Sequence, residues 1–260
     1  MAPQIPTEIL CLIAEHLQEL EASLVPCTRV CRQWQVGFEP LIYSEPINVF
    51  SADGVSKEDC GRAMSLSHFQ KVTSGNGVAR RSLIRYLSYY IVVPIDLPDW
   101  QNCKQKGYNH ENIVRQNNDI AFQSAIVDLF ETLAHWDPNL RLSLDLALLG
   151  REEGKEPYTS AFALAGDYNY EYKKGRTRSV PVYRARFPDN GHSFLPAVAC
   201  IDRLFFYYDS FPSPQIWAGS AMKIAQCCTS LTEIILDLDE YIRPDHIEYF
   251  QARRQGQQYI

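Results

Sequence analysis

Leucine occupies every second position from residue 140 to residue 148, and this alternation constrains the fold more than any other feature of the chain. Arg141, Ser143 and Asp145 lie between the leucines, which is typical of a β-strand with one buried face. In the preceding segment, residues 118–136, apolar side chains recur on one helical face. A helix that leads directly into a half-buried strand indicates a mixed fold of the α+β or α/β class.

Strand-like and helix-like segments continue to alternate along the rest of the chain. Their spacing is unequal, whereas a regular repeat protein keeps a constant period of about 20–29 residues. We therefore predict an irregular leucine-rich-like solenoid of alternating strands and helices, and not a doubly wound sheet with a cofactor site. The predicted strands are 83–93, 140–148, 201–208 and 231–238, and the predicted helices are 62–72, 118–136, 215–228 and 243–254.

A long polar stretch between about residues 150 and 190 interrupts this pattern. It contains five tyrosines (Tyr158, Tyr168, Tyr170, Tyr172 and Tyr183) and a basic run at residues 173–178. Loops of this length are either functional or disordered. The stretch is thus an insertion that either binds a partner through its tyrosines and arginines or extends into solvent without a binding role.

The first 44 residues have a separate pattern. Ile9, Ile13 and Leu17 recur at four-residue steps, so one face of a helix is apolar. Pro6 suits the start of this helix, where its missing N–H costs nothing. A second apolar run leads to Trp34. These features predict a small helical hairpin or trihelix, too short to bury its own apolar stripe, so a partner surface is implied.

Three blocks of this segment resemble an F-box: IPTEIL at residues 5–10, VCRQW at 30–34 and PLIYS at 40–44. In that family the helices bind the Skp-type adaptor of an SCF ubiquitin ligase, mainly through apolar side chains. Pro26 departs from the pattern, so we expect the second helix to begin there. The resemblance implies adaptor contacts for ten residues: Ile5, Pro6, Ile9, Leu10, Ile13, Leu17, Leu24, Val30, Cys31 and Trp34.

The resemblance also implies an organisation and a function. Residues 1–44 would be the F-box, 45–80 a connector and 81–260 the irregular leucine-rich-like domain, as in a group of fungal F-box proteins. The chain would recruit an unknown protein substrate to the adaptor and, through it, to cullin. An alternative is an adaptor complex without cullin that does not lead to degradation. Another interpretation of residues 4–44 is an ordinary amphipathic hairpin packed on the rest of the chain.

Composition and motifs argue against other classes of function. The net charge of −6 argues weakly against nucleic acid as a partner, since phosphate binding needs a basic surface. No apolar run approaches the roughly 20 residues of a membrane span, and no secretory signal is evident. The sequence lacks a glycine-rich phosphate loop, GxSxG and HExxH, so we predict neither catalysis nor a cofactor.

The eight cysteines do not form a recognisable metal motif. No CxxC is present, and although Cys27 and Cys31 are four residues apart, no second pair of ligands follows at a suitable spacing. We therefore predict no metal. Free, mostly buried thiols in a reducing compartment are the better interpretation, which places the protein in the cytoplasm, the nucleus or both. A redox or zinc enzyme built on these cysteines is a third class of function.

Overall fold

The computed structural model of the protein describes residues 5–20, 22–53, 63–94, 113–150, 184–188, 195–206 and 215–236. Three short helices come first: α1 (Thr7–Glu19), a 3₁₀ helix (Val25–Arg29) and α2 (Arg32–Ser44). Pro26 lies in the first turn of the 3₁₀ helix, where the second helix was expected to begin. Leu10, Ala14, Leu24 and Phe38 form the small apolar core of this trihelix.

A six-stranded parallel sheet follows the trihelix. Five of its strands lie side by side in chain order, and β2 lies at the outer side of β1, which gives the order β2-β1-β3-β4-β6-β8. The described ranges also contain two short parallel strands, β5 and β7, which form a separate two-stranded sheet. The strands are β1 (Ile47–Phe50), β2 (Ala63–Ser65), β3 (Tyr86–Val93), β4 (Leu142–Gly150), β5 (Arg184–Ala185), β6 (Ile201–Phe206), β7 (Gln215–Ile216) and β8 (Glu233–Leu236).

The main core lies between the sheet and the helices α3 (Leu66–Val72), α4 (Ile113–Ala134) and α5 (Ala218–Cys227). Alternate side chains of the strands face these helices, as the leucine alternation of β4 predicts. The hydroxyl of Tyr89 on β3 donates to the Ala125 carbonyl of α4, 2.9 Å away. Burial raises the pKa of Tyr89 well above its ordinary value, so the phenol remains a donor.

The other face of the sheet carries more exposed side chains. The pairing registers place Asn48, Ser88, Asp145, Phe205 and Ile235 in one row across five strands. Every member of this row is half-buried or exposed. A second row joins four neighbouring strands, and its last two members, Arg203 and Glu233, form an exposed ion pair at 3.4 Å. The row consists of Tyr86, Ser143, Arg203 and Glu233.

The expectation of a mixed fold with an N-terminal helical module is confirmed, with corrections to individual elements. The helix predicted at 215–228 begins only at Ala218, because Gln215 and Ile216 pair with Arg184 and Ala185 as strands. The helix predicted at 62–72 begins at Leu66, after strand β2.

The segment predicted as a connector, 45–80, contributes β1, β2 and α3 to the sheet layer. Residues 243–254 and most of the 150–190 insertion lie outside the described residues.

Candidate functional site

Helix α1 and the residue that caps it, Leu20, present a stripe of exposed apolar side chains. Ile9, Leu12 and Leu20 are 45%, 60% and 63% exposed, and they follow one another at steps of three and eight residues. Such steps return to the same side of a helix, so the three side chains lie on one face. Further exposed apolar side chains on the trihelix are Val25, Val30 and Val36. Several large apolar side chains exposed on one small module are typical of a protein interaction site.

The ten residues predicted as adaptor contacts divide by burial. Leu10 and Leu24 are buried in the trihelix core, so packing is the role that the structure gives their side chains. Ile5, Ile13, Leu17 and Trp34 are half-buried and pack against that core. Pro6, Ile9, Val30 and Cys31 are exposed. The contact role itself remains a prediction for all ten.

Four large apolar residues that are exposed on the trihelix are absent from the predicted contact set: Leu12, Leu20, Val25 and Val36. Leu12 lies three residues after Ile9 and could have been found from helical spacing alone. Val25 and Val36 gave no such signal, because their exposure depends on how the 3₁₀ helix and α2 pack on α1.

The close contact between α1 and α2 depends on Gly37. A Cβ atom at this position would lie 3.1 Å from the Leu10 Cβ, tighter than ordinary van der Waals contact. Trp34, one turn before Gly37, stacks with Phe38, the residue directly after it, with ring centroids 5.3 Å apart. The Gln33 side-chain amide donates to the Ile5 carbonyl and ties the segment before α1 to α2. The trihelix therefore has a small, well-packed interior, and its exposed apolar side chains lie on the surface.

Residues 2–38 match the model of the F-box-like family. The chain has an F-box-like domain at its N-terminus. The match favours this assignment over an ordinary amphipathic hairpin, because its bounds cover α1, the 3₁₀ helix and most of α2. No curated protein and no solved structure matches the chain.

The F-box-like domain is joined to the sheet by polar contacts from α2. The Arg80 Nε donates to the Glu39 Oε1 at 2.8 Å, and the Arg80 Nη2 lies 2.8 Å from the same oxygen. The Gln35 amide also donates to this oxygen, at 2.8 Å. Tyr43, from the last turn of α2, packs against the main core, and burial raises its pKa. Glu39 and Tyr43 thus anchor one side of α2 to the sheet layer.

The neighbouring arginine, Arg81, holds two helix ends together. Its Nε donates to the Thr73 carbonyl after α3 at 2.7 Å, and its Nη1 donates to the His135 carbonyl after α4 at 3.0 Å. The guanidinium also lies over the Trp136 ring, 5.7 Å from its centroid. Carbonyls at helix C-termini lack intrahelical donors, so a cation here satisfies them and complements the helix dipoles.

The thiols and acids of the described ranges do not form a metal site, since no three His, Cys, Asp or Glu side chains come together there. Cys27 is half-buried and Cys31 is exposed at the end of the 3₁₀ helix. None of the helices in the part of the chain that the structure describes is long and apolar enough to cross a bilayer.

Proposed function

We propose that this protein is a substrate-recruiting subunit of an SCF-type ubiquitin ligase. Its F-box-like domain would bind a Skp-type adaptor, and a protein client would bind the sheet domain. The exposed apolar stripe of Ile9, Leu12 and Leu20, on a trihelix that matches the F-box-like model, is the observation that carries the proposal. F-box domains are typically non-catalytic, so ubiquitin transfer would fall to other subunits. The chain would act in the cytoplasm, the nucleus or both.

The adaptor surface is expected to include the exposed members of the predicted set together with Leu12 and Leu20. Burial of one Leu or Ile side chain in an interface contributes roughly 1.5–3 kcal/mol. Three such side chains on one side of the domain would supply a substantial part of the binding free energy once a partner covers them.

A protein client would bind the domain formed by residues 81–260. We propose that this domain is an irregular leucine-rich-like solenoid, similar to that of a group of fungal F-box proteins. The chain-order pairing of β3, β4, β6 and β8, all parallel and with helices on one face, supports the solenoid. The two rows on the other face, whose members other than the buried Ser143 are half-buried or exposed, combine aromatic, aliphatic and charged side chains, a composition that suits protein contacts. The long insertion begins where β4 ends, at Gly150, and is a second candidate for client contact.

Replacing Ile9 with aspartate should reduce binding to a Skp-type adaptor at least about tenfold, which is about 1.4 kcal/mol. Ile9 is the third residue of α1, where a carboxylate near the helix N-terminus is favourable, so the variant should fold normally. Calorimetric titration of the purified adaptor measures the change. The double variant Ile9→Asp with Trp34→Ala should abolish co-purification.

Val78→Asp is the matched control for this experiment. Val78 is 48% exposed but lies in the 3₁₀ helix Gly75–Ser82, outside the F-box-like domain. Adaptor affinity should be unchanged in this variant. Wild-type affinity in a folded Ile9→Asp variant would rule out the α1 stripe as the adaptor surface.

A second candidate function is an adaptor complex without cullin. The F-box-like match supports it equally, because that match bears on the adaptor alone. Purification of the wild-type chain with its partners separates the two functions. Cullin in the complex, together with client accumulation when the chain is depleted, supports the ligase. Adaptor without cullin, and no accumulation, supports the alternative.

A further inference from the structure

We propose that Glu39 and Arg80 form a latch that fixes the orientation of the F-box-like domain relative to the sheet. If the proposed function holds, Arg80 is then a positioning residue for ubiquitin transfer. The latch itself rests on geometry alone.

The Arg80 guanidinium connects two elements that are distant in sequence. On one side, its Nε and Nη2 contact the Glu39 carboxylate of α2, each at 2.8 Å. On the other side, its Nη1 donates to the Val72 carbonyl at the end of α3, 2.9 Å away. One rigid, planar cation therefore holds the last helix of the F-box-like domain against the first helix of the sheet layer.

Burial distinguishes this ion pair from ordinary surface pairs. The side chains of Arg80 and Glu39 are 25% and 15% exposed. In the Arg203–Glu233 pair of the sheet the corresponding values are 50% and 47%, and the distance is 3.4 Å. Exposed pairs contribute little because water and salt screen them, whereas charge-assisted bonds shielded from water are stronger and more directional.

The surroundings restrict the latch further. Gln35 donates to the same Glu39 oxygen, which fixes the carboxylate, and Tyr43 packs against the main core one turn later on α2. Apolar packing from Tyr43 holds the two parts together, and the directional bonds of Arg80 set their angle.

A fixed angle has a consequence for a ligase subunit. Proximity raises the effective concentration of a bound client only if the geometry allows client and ubiquitin donor to meet. Free rotation at the junction would spread the client over many positions and lower the fraction that is correctly placed. The latch would therefore select which lysines are modified.

The latch can be tested on the isolated chain by pulsed electron paramagnetic resonance. Spin labels on non-canonical residues replace Glu15 on α1 and Met222 on α5, both of which are exposed. We expect one narrow distance distribution in the otherwise wild-type chain and a distribution at least about twice as wide in Arg80→Ala, because the variant loses the bonds to both Glu39 and the Val72 carbonyl. Arg203→Ala, which breaks the exposed pair, should keep the narrow distribution.

Glu39→Gln provides a variant that keeps the shape of the side chain and should fold even if Arg80→Ala does not. It removes the charge of the carboxylate, so the distribution should widen to a smaller extent. A distribution of unchanged width in both latch variants would overturn the latch.

The positioning role is tested in a reconstituted ligase, with the chain's own lysines as the probe. Adaptor affinity should be the same in wild type and Arg80→Ala, while the pattern of self-ubiquitylated lysines, such as Lys71 against Lys223, should shift several-fold. A wider distance distribution with an unchanged lysine pattern would refute the positioning role. Absence of adaptor binding by the wild-type chain would refute the proposed function and leave the resonance result to decide the latch.

Discussion

Replacing Gly77 with alanine should lower the free energy of unfolding by about 3 kcal/mol, as expected for a steric clash in a well-packed region. A Cβ atom at this position would lie 2.1 Å from the Val72 carbonyl oxygen and 2.9 Å from its carbon. Both atoms belong to the backbone, and the oxygen also accepts the Arg80 Nη1, so it cannot move away freely. Urea unfolding followed by circular dichroism measures the difference.

Gly75→Ala is the control for this substitution. Gly75 has a φ of +52°, which an alanine adopts at a cost of about 1 kcal/mol, but nothing lies within 4 Å of the added atom. We therefore expect a clearly smaller loss of stability than at Gly77. Equal losses in the two variants would show that backbone conformation, and not contact with Val72, determines the need for glycine in this segment.

Sequence periodicity predicted the elements whose burial pattern is local. Strand β4 and helix α4 agree with their predicted positions to within a few residues, because alternate leucines and a helical apolar face are visible in the sequence. The short strands β5 and β7 had no such signal. Each has two residues, and they are strands only because they pair with each other across the intervening chain.

The junction between the two parts also lies beyond sequence reasoning. Glu39 and Arg80 are 41 residues apart, and either could have been an ordinary surface charge. Their pairing depends on the tertiary arrangement that brings α2 close to the 3₁₀ helix Gly75–Ser82, which no local pattern encodes. The segment predicted as a connector supplies Arg80. It also supplies Gly77, whose missing Cβ leaves room for the Val72 carbonyl.

For the candidate site, the resemblance located the domain but not the orientation of each side chain. Ile9 and Leu10 are adjacent in the IPTEIL block, yet Ile9 is exposed and Leu10 is buried against Gly37. A family pattern combines core positions and contact positions, because both are apolar. Only the packing of three helices separates them.

Raising the pH from about 8 to about 10.5 should lower the free energy of unfolding by about 4 kcal/mol through two buried thiols. Burial raises the pKa of Cys200 from 9.0 to about 11, and burial with the neighbouring Cys227 and Cys200 raises that of Cys228 from 9.0 to about 12. Both side chains are almost fully buried, and their thiols face the carbonyls of Leu133 and Ile224.

The direction of this effect follows from the raised pKa values. At pH values well below 9.0, the ordinary thiol pKa, the thiols are protonated in both states, so their contribution to stability is fully present. At higher pH the unfolded chain releases protons that the folded chain retains, and the contribution is lost as the pH rises toward 11 and 12. Each thiol should account for about 2 kcal/mol over the stated range.

Urea unfolding at several pH values, compared between variants, isolates this contribution from other groups such as Tyr89. Cys228→Ala should remove about half of the pH dependence, even though it also costs some stability at pH 7 through lost packing. If the Cys228→Ala variant kept the full wild-type dependence of the free energy of unfolding on pH, ionisation of the buried thiols would not be the cause of that dependence.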